Sequence, residues 1–72
     1  MSSRKYPQSA RIIREGRQRA GLTQQELAEK LGVTTGTVSR YERGAGFPKT
    51  DILFALGDVL DIRPVDLLRA DT

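Results

Sequence analysis

The chain of 72 residues contains neither cysteine nor histidine. Without cysteine there is no disulfide bond, no thiolate zinc site and no cysteine nucleophile. Without histidine the usual general base, the commonest metal ligand and a side chain that titrates near neutral pH are absent. We therefore expect no metal, no other cofactor and no enzymatic activity.

Long apolar runs are also missing. No stretch approaches the roughly 20 residues that a membrane-spanning helix needs, and no basic segment followed by an apolar one resembles a signal peptide. Hydrophobic residues make up 38% of the chain and charged residues 29%, as in ordinary globular domains. These features predict one small cytoplasmic domain with no membrane partner.

The charges are divided unevenly along the chain. Residues 1–49 carry ten lysines and arginines against four glutamates, a balance of +6. Residues 50–72 carry two arginines against five aspartates, a balance of −3. Such a chain is electrically polarised once folded, and its basic part suits a polyanion such as nucleic acid. The alternative is a chance imbalance on a small domain.

Helix signals recur from the first residues onward, whereas strand and hairpin signals are nearly absent. Residues 1–8 are basic and predict a flexible arm. Ser9 is expected to cap a first helix that ends at about Ala20. Thr23-Gln24-Gln25-Glu26 has the pattern of a capping box, which starts a second helix that stops at Gly32.

Three further helix starts complete a predicted all-α bundle of five short helices. Thr34 is expected to cap the third helix, and the fourth starts at Lys49 or Thr50. Pro64 suits the first position of a fifth helix, which Leu67 and Leu68 close against the core. The predicted organisation is an arm at 1–8, a domain at 9–69 and a C-terminal tail at 70–72.

The second and third predicted helices follow each other across a glycine turn, which is at least a helical hairpin. Ala28 lies where two helices approach closely, and Gly32 lies where the chain reverses with a positive φ. Apolar contacts for a crossed pair are present at Leu27, Leu31, Val33, Val38 and Tyr41. This spacing resembles the helix-turn-helix of the lambda-repressor-like, Cro-type (XRE) DNA-binding family.

The resemblance covers residues 9–69. Residues 21–33 resemble the family's run through its second helix, and residues 38–44, followed by Pro48, resemble the end of its third helix and the next loop. Ile13, Arg14 and Arg17 match its first helix, and the Leu67-Leu68 pair matches its fifth. The resemblance implies a compact five-helix lambda-repressor-like fold that binds double-stranded DNA through the third helix.

Outward-facing residues of the third helix are candidates for base contacts. At about 100° per residue, Gly36, Arg40 and Arg43 lie opposite Val38 and point away from the core. Arginine can donate two hydrogen bonds to guanine, and threonine can use its hydroxyl or its methyl. The resemblance implies base contacts at Thr35, Gly36 and Arg40. The alternative for Arg40 is an arginine that only faces solvent.

Phosphate contacts are expected around this helix. Gln24 lies in the first turn of the second helix, where backbone amides and the helix dipole attract an anion, and the resemblance implies that it holds a phosphate. The arm could instead be a disordered tail that only aids solubility. Further candidates have cationic or hydroxyl side chains: Arg14, Thr37, Ser39, Arg43 and Lys49, with Arg4 and Lys5 in the arm.

Arg17 and Glu42 are assigned to structure, because both fall toward the interior faces of their helices. The resemblance implies that they form a partly buried salt bridge. Three positions depart from the family's pattern: Gly16 replaces a larger apolar residue, Gly57 an alanine-like one, and Asp61 a helix-ending glycine. None of the three lies on the face expected to contact DNA.

The sequence predicts a sequence-specific transcriptional regulator of bacterial or phage type, most often a repressor in this family, acting at the nucleoid. It would bind a palindromic operator as a homodimer. No small-molecule effector is evident, and phage repressor, restriction-modification controller and antitoxin remain open. The alternative is a protein-interaction module or antitoxin of the same fold, with its surface near Val59, Leu67 and Leu68 in the acidic part.

Overall fold

The computed structural model describes residues 5–72, which form five α-helices and no β-strand. The predicted all-α bundle is confirmed. Residues 1–4, which include the arm candidate Arg4, lie outside the described residues. None of the helices within residues 5–72 has the length and apolar character needed to cross a membrane. The helices are α1 (Pro7–Arg19), α2 (Gln24–Leu31), α3 (Thr35–Glu42), α4 (Thr50–Leu60) and α5 (Pro64–Ala70).

Helices α2 and α3 start where their caps predict. The Thr23 side chain accepts a hydrogen bond from the Glu26 amide at 3.0 Å, and the Thr23 amide donates to the Glu26 carboxylate at 2.8 Å. Thr34 caps α3 by accepting from the Thr37 amide at 3.1 Å. Gly32 ends α2 in the left-handed region, with φ of 72°, which glycine adopts without strain. These local bonds define the predicted helix-turn-helix.

The start of α1 differs from the prediction. The helix begins at Pro7, whose ring fixes φ at a helical value, so Ser9 lies inside the helix and the prediction that it caps the helix is wrong. The backbone amides of Gln8 and Ser9 donate to the carboxylate of Asp71 at 2.8 and 3.0 Å. The buried Ser9 hydroxyl lies 2.8 Å from an Asp71 carboxylate oxygen and 3.2 Å from the Leu67 carbonyl oxygen, two acceptors for its single proton. A carboxylate near the end of the chain therefore satisfies the first amides of α1.

One fully buried side chain from each helix forms the centre of the core. Each of these large side chains contributes about 1.5–3 kcal/mol by its removal from water. Leu67 of α5 is only 1% exposed, but its neighbour Leu68 is 57% exposed and does not close the core as predicted. The central residues are Ile13, Leu27, Val38, Leu56 and Leu67.

Two of the three departures from the family's pattern lie at close contacts between helices. A Cβ at Gly16 would lie 3.4 Å from the Leu60 side chain, so its absence lets α1 and α4 approach. A Cβ at Gly57 would lie 3.0 Å from the Ile62 carbonyl in the turn that leads to α5. Asp61 ends α4 with φ of 55°, a left-handed conformation that costs a residue with a Cβ about 1–2 kcal/mol.

Candidate nucleic-acid interface

Helix α3 has one face in the core and one face in solvent. Val38 is fully buried on the inner face, whereas Thr35, Gly36, Arg40 and Arg43 are exposed. The Val33 amide donates to the Ala28 carbonyl at 3.0 Å and fixes the turn that sets α3 across α2. An exposed helix face on a rigid turn is the geometry with which proteins enter the DNA major groove.

Arg40 stands near the middle of the outer face. Within residues 5–72 its guanidinium makes no side-chain hydrogen bond and no ion pair with the protein. All of its N–H donors are therefore available to a base edge or a phosphate. Arg43 differs slightly, because its Nε donates to the Ser39 carbonyl at 3.4 Å, a long bond that leaves the guanidinium exposed.

The hydroxyl groups at the start of α3 and within it differ in exposure and in hydrogen-bond partners. The hydroxyls of Thr34 and Thr37 lie 2.9 Å apart, so Thr37 already has a partner at the helix start. Thr35 is fully in solvent, and Ser39 is half-buried. Of the threonines predicted to contact DNA, Thr35 is thus the more accessible and Thr37 the more constrained.

Three of the predicted contact residues line one groove between α3 and the start of α4. The groove has a volume of about 470 Å³, and Thr37, Arg40 and Lys49 line it together with Tyr41 and Phe47. Burial raises the pKa of Tyr41, and the nearby Arg40 guanidinium offsets part of that increase. The carboxylate of Asp51, which lines the same groove, raises the pKa of Tyr41 further, so the phenol stays a neutral hydrogen-bond donor beside two cations and one anion.

Arg17 and Glu42 meet in the interior, where α1, α2 and α3 converge. The Arg17 Nε lies 2.6 Å from Glu42 Oε2, and its Nη2 donates to Oε1 at 3.0 Å. The Arg17 Nη1 donates to the Leu22 carbonyl at 2.8 Å. The hydrogen bond to Glu42 raises the pKa of Arg17 despite its desolvation, and the charge of Glu42 adds to that effect. The pair predicted to be structural thus ties three helices together.

Gln24 takes part in this interior network, which sequence reasoning missed. Its Nε2 donates to Glu42 Oε1 at 3.1 Å, across 18 residues of chain. No local pattern indicates such a bond, because it depends on how α2 crosses α3. The half-buried amide still has a second N–H and a carbonyl oxygen. The phosphate contact of Gln24 stays a prediction.

The described part of the N-terminal arm packs on the loop after α3. The amides of Lys5 and Tyr6 donate to the Gly44 carbonyl at 2.9 and 3.1 Å, and the rings of Tyr6 and Phe47 lie 5.3 Å apart. The exposed Lys5 is therefore held near the end of α3. Arg14 of α1 also points there, although its 3.5 Å bond to the Glu42 carbonyl is at the limit of hydrogen bonding.

The surface of α4 and α5 is acidic and carries three large exposed apolar side chains. They are Phe54, Val65 and Leu68, at 59%, 43% and 57% exposure. The prediction that Leu67 belongs to an exposed partner surface is wrong, because its side chain is buried in the core. Val59 is only half-buried.

The crossed helices, the glycine turn between them and the exposed basic face of α3 define a DNA-binding domain of the repressor type. In agreement, the structure is similar to the solved DNA-binding domain of the P22 C2 repressor, with a TM-score of 0.79 and 29% identity over 92% of this chain and 87% of that one. The model of the family described as Helix-turn-helix matches residues 13–67. The chain belongs to this helix-turn-helix family, and the XRE-type resemblance is confirmed.

Several curated relatives are named as transcriptional regulators. The regulator ImmR of Bacillus subtilis is 41% identical over 59 residues, which are 82% of this chain and 46% of ImmR. A protein of Pyrococcus furiosus named as an HTH-type transcriptional regulatory protein is 38% identical over 61 residues, 81% of this chain but 19% of its own length. An uncharacterized regulator of Archaeoglobus fulgidus is 37% identical over 82% of this chain and 84% of its own. The chain thus spans less than half of the first two relatives.

Proposed function

We propose that the chain is a sequence-specific, double-stranded DNA-binding regulator that represses transcription. The observation that carries this proposal is the outer face of α3, where an arginine with free donors lies between the exposed Thr35 and Gly36 on one side and Arg43 on the other. The names of the relatives and the repressor fold support the same function. Such a regulator acts at the nucleoid in the cytoplasm of a bacterial or phage-infected cell.

In this proposal α3 lies in the major groove and reads bases. Arg40 donates two hydrogen bonds to guanine O6 and N7, a contact worth about 1–3 kcal/mol of discrimination. Thr35 offers a hydroxyl and a methyl at the start of the helix. Gly36 lets the helix come close to the bases because it has no side chain there.

Phosphate contacts on both sides of α3 set its register on the duplex. Each phosphate that a cation neutralises adds about 0.9 to the slope of log affinity against log salt. These contacts carry no sequence information, so their loss weakens binding to all DNA alike. The proposed residues are Lys5, Arg14, Gln24, Thr37, Ser39, Arg43 and Lys49.

We further propose that two copies bind a palindromic operator. A two-fold dimer would place its recognition helices about 34–36 Å apart, one turn of DNA. Apart from Asp51, which lines the groove beside Arg40, the acidic residues of α4 and α5 would lie away from the phosphates, and DNA would not repel a protein partner there.

The test is selection of binding sites from a random DNA pool. A specific regulator should enrich a palindrome and bind it about 10³-fold or more tightly than random DNA, with a steep negative salt slope. Sedimentation of the complex should give two chains per operator. A pool that yields no enriched sequence would contradict sequence-specific regulation, and one chain per site would contradict the dimer.

A second candidate function is a protein-interaction module of the same fold. The observation that favours it is the exposure of Phe54, Val65 and Leu68 on an acidic surface. Arg40→Ala separates the two candidates. A DNA-binding regulator loses operator affinity on this change, whereas a module that binds a protein through α4 and α5 keeps its partner.

A further inference from the structure

Gly46, in the loop between α3 and α4, lies against the side chain of Arg40. A Cβ built at Gly46 would lie 3.3 Å from Arg40 Nη2, 3.6 Å from Cζ and 3.9 Å from Nε. The guanidinium therefore lies close to Gly46, and any side chain at this position would crowd it. The φ of Gly46 is not in the left-handed region, unlike that of Gly44, so the backbone conformation does not require glycine. The group that a side chain at this position would press on is the Arg40 guanidinium.

The loop at this point is tied down and has little freedom to move away. The Ala45 amide donates to the Arg40 carbonyl at 3.0 Å, and the Gly44 carbonyl accepts from two amides of the N-terminal segment. The Tyr6 ring packs on Phe47 directly after Gly46. Arg40, by contrast, is exposed and has no partner that holds its guanidinium within residues 5–72. A side chain at position 46 would therefore displace the guanidinium rather than the loop.

We propose that Gly46 is a positioning residue that sets the orientation of the Arg40 guanidinium and thereby tunes base discrimination without touching DNA. Recognition of guanine requires two neighbouring N–H donors of the guanidinium to point at O6 and N7 in the plane of the base. The groove walls formed by Gly46, Tyr41 and Phe47 limit the orientations that the guanidinium samples before binding, so less side-chain entropy is lost when it meets the base. This inference rests on the proposed role of Arg40 in reading DNA.

The experiment is a double-mutant cycle on the operator selected with the parent chain. Gly46→Val places branched methyl groups where the guanidinium rests, and Arg40→Ala removes the guanidinium. Affinity is measured for the operator, for operators changed at each base pair, and for random DNA. Lys49→Ala is the matched control, because loss of a phosphate contact weakens all sequences alike.

We expect Gly46→Val to weaken operator binding about tenfold, in the lower part of the range for one lost base contact. The loss should be confined to the base pair at which Arg40→Ala also loses discrimination. Binding to random DNA and the salt slope should equal those of the parent. In the Arg40→Ala background, Gly46→Val should have no further effect.

Two results overturn the inference: unchanged operator affinity of Gly46→Val, or an equal loss in the Arg40→Ala background. Gly46→Ala adds a single methyl group and should weaken operator binding less than Gly46→Val does. It replaces the valine variant if that variant unfolds. A nuclear relaxation measurement on the Arg40 Nε–H of the free chain tests the positioning without DNA. Greater mobility in Gly46→Val supports it, and equal mobility overturns it even if no operator is found.

Discussion

Two arginines on opposite sides of α3, Arg17 of α1 on its inner side and Arg40 on its outer face, are in opposite environments. At the interior junction Arg17 is bound by Glu42 and by the Leu22 carbonyl, and its side chain is only 15% exposed. On the outer face Arg40 makes no side-chain hydrogen bond and no ion pair within residues 5–72, and it lines an open groove beside Gly46. The same residue type thus serves stability in one place and, in our proposal, recognition in the other. Substitutions on the two sides should separate stability from DNA affinity.

The largest effect is expected at the interior junction. Arg17→Ala leaves the buried Glu42 carboxylate without its cation and should lower the free energy of unfolding by about 3–5 kcal/mol. Urea or thermal unfolding followed by circular dichroism measures the change. Arg63→Ala is the control, because its ion pair with Asp66 is exposed to solvent and should contribute little to stability. Weaker DNA binding at unchanged stability would contradict the structural role of Arg17.

The interior junction was only partly predictable from sequence. Helical periodicity places Arg17 and Glu42 on the inner faces of their helices, so their pairing can be predicted from the sequence. The bond from Gln24 to Glu42 is not, because it depends on the crossing angle of α2 and α3. No pattern in the sequence indicates that Gln24, predicted to contact a phosphate, also bonds to Glu42 in the interior.

Gln24 therefore tests whether the two sides are independent. Gln24→Ala removes a hydrogen bond to a charged group and should cost about 1.5–3 kcal/mol of stability. If the same side chain also holds a phosphate, affinity for random DNA and for the operator should fall together. Unfolding curves and binding titrations are run on the same samples. A loss of stability with unchanged DNA affinity would show that Gln24 does not contact DNA. The interior junction would then affect stability alone.

On the outer face, Arg40→Ala should cost about 1–3 kcal/mol of operator binding, or roughly 5- to 150-fold in affinity. Stability should stay within about 0.5 kcal/mol of the parent, because the side chain is exposed. Lys49→Ala should instead lower the salt slope by about 0.9 and weaken all sequences. A large loss of stability in Arg40→Ala would contradict the claim that the outer face affects DNA affinity and not stability.

The helix starts show what local sequence can and cannot predict. Thr23 and Thr34 cap α2 and α3 through residues three positions away, so their patterns are visible in the sequence. The cap of α1 comes from Asp71, 62 and 63 residues away, so no local pattern identifies it. The burial of Leu67 rather than Leu68 depends in the same way on how α5 is rotated against the core.

The proposed positioning of Arg40 by Gly46 also depends on the tertiary structure. It comes from the path of the loop after α3, which is held by the N-terminal segment. Helical periodicity places Arg40 on the outer face but cannot show what lies beside it. The orientation of the side chain is therefore a property of the tertiary structure, although the residue itself was predicted.

The smallest expected effect concerns Asp71, a carboxylate that accepts bonds from neutral donors, whereas Glu42 is paired with an arginine. Desolvation alone would raise the pKa of Asp71, but the bonds from Ser9 and Gln8 together hold it below the ordinary 3.8. Because the folded pKa is the lower one, Asp71 stabilises the fold above about pH 4, and this contribution is lost as pH falls through the folded pKa. Asp71→Asn keeps one acceptor oxygen without the charge, so the difference in unfolding free energy between parent and variant should shrink on acidification. A difference that is constant from neutral pH into acid would show that the charge of Asp71 does not stabilise α1.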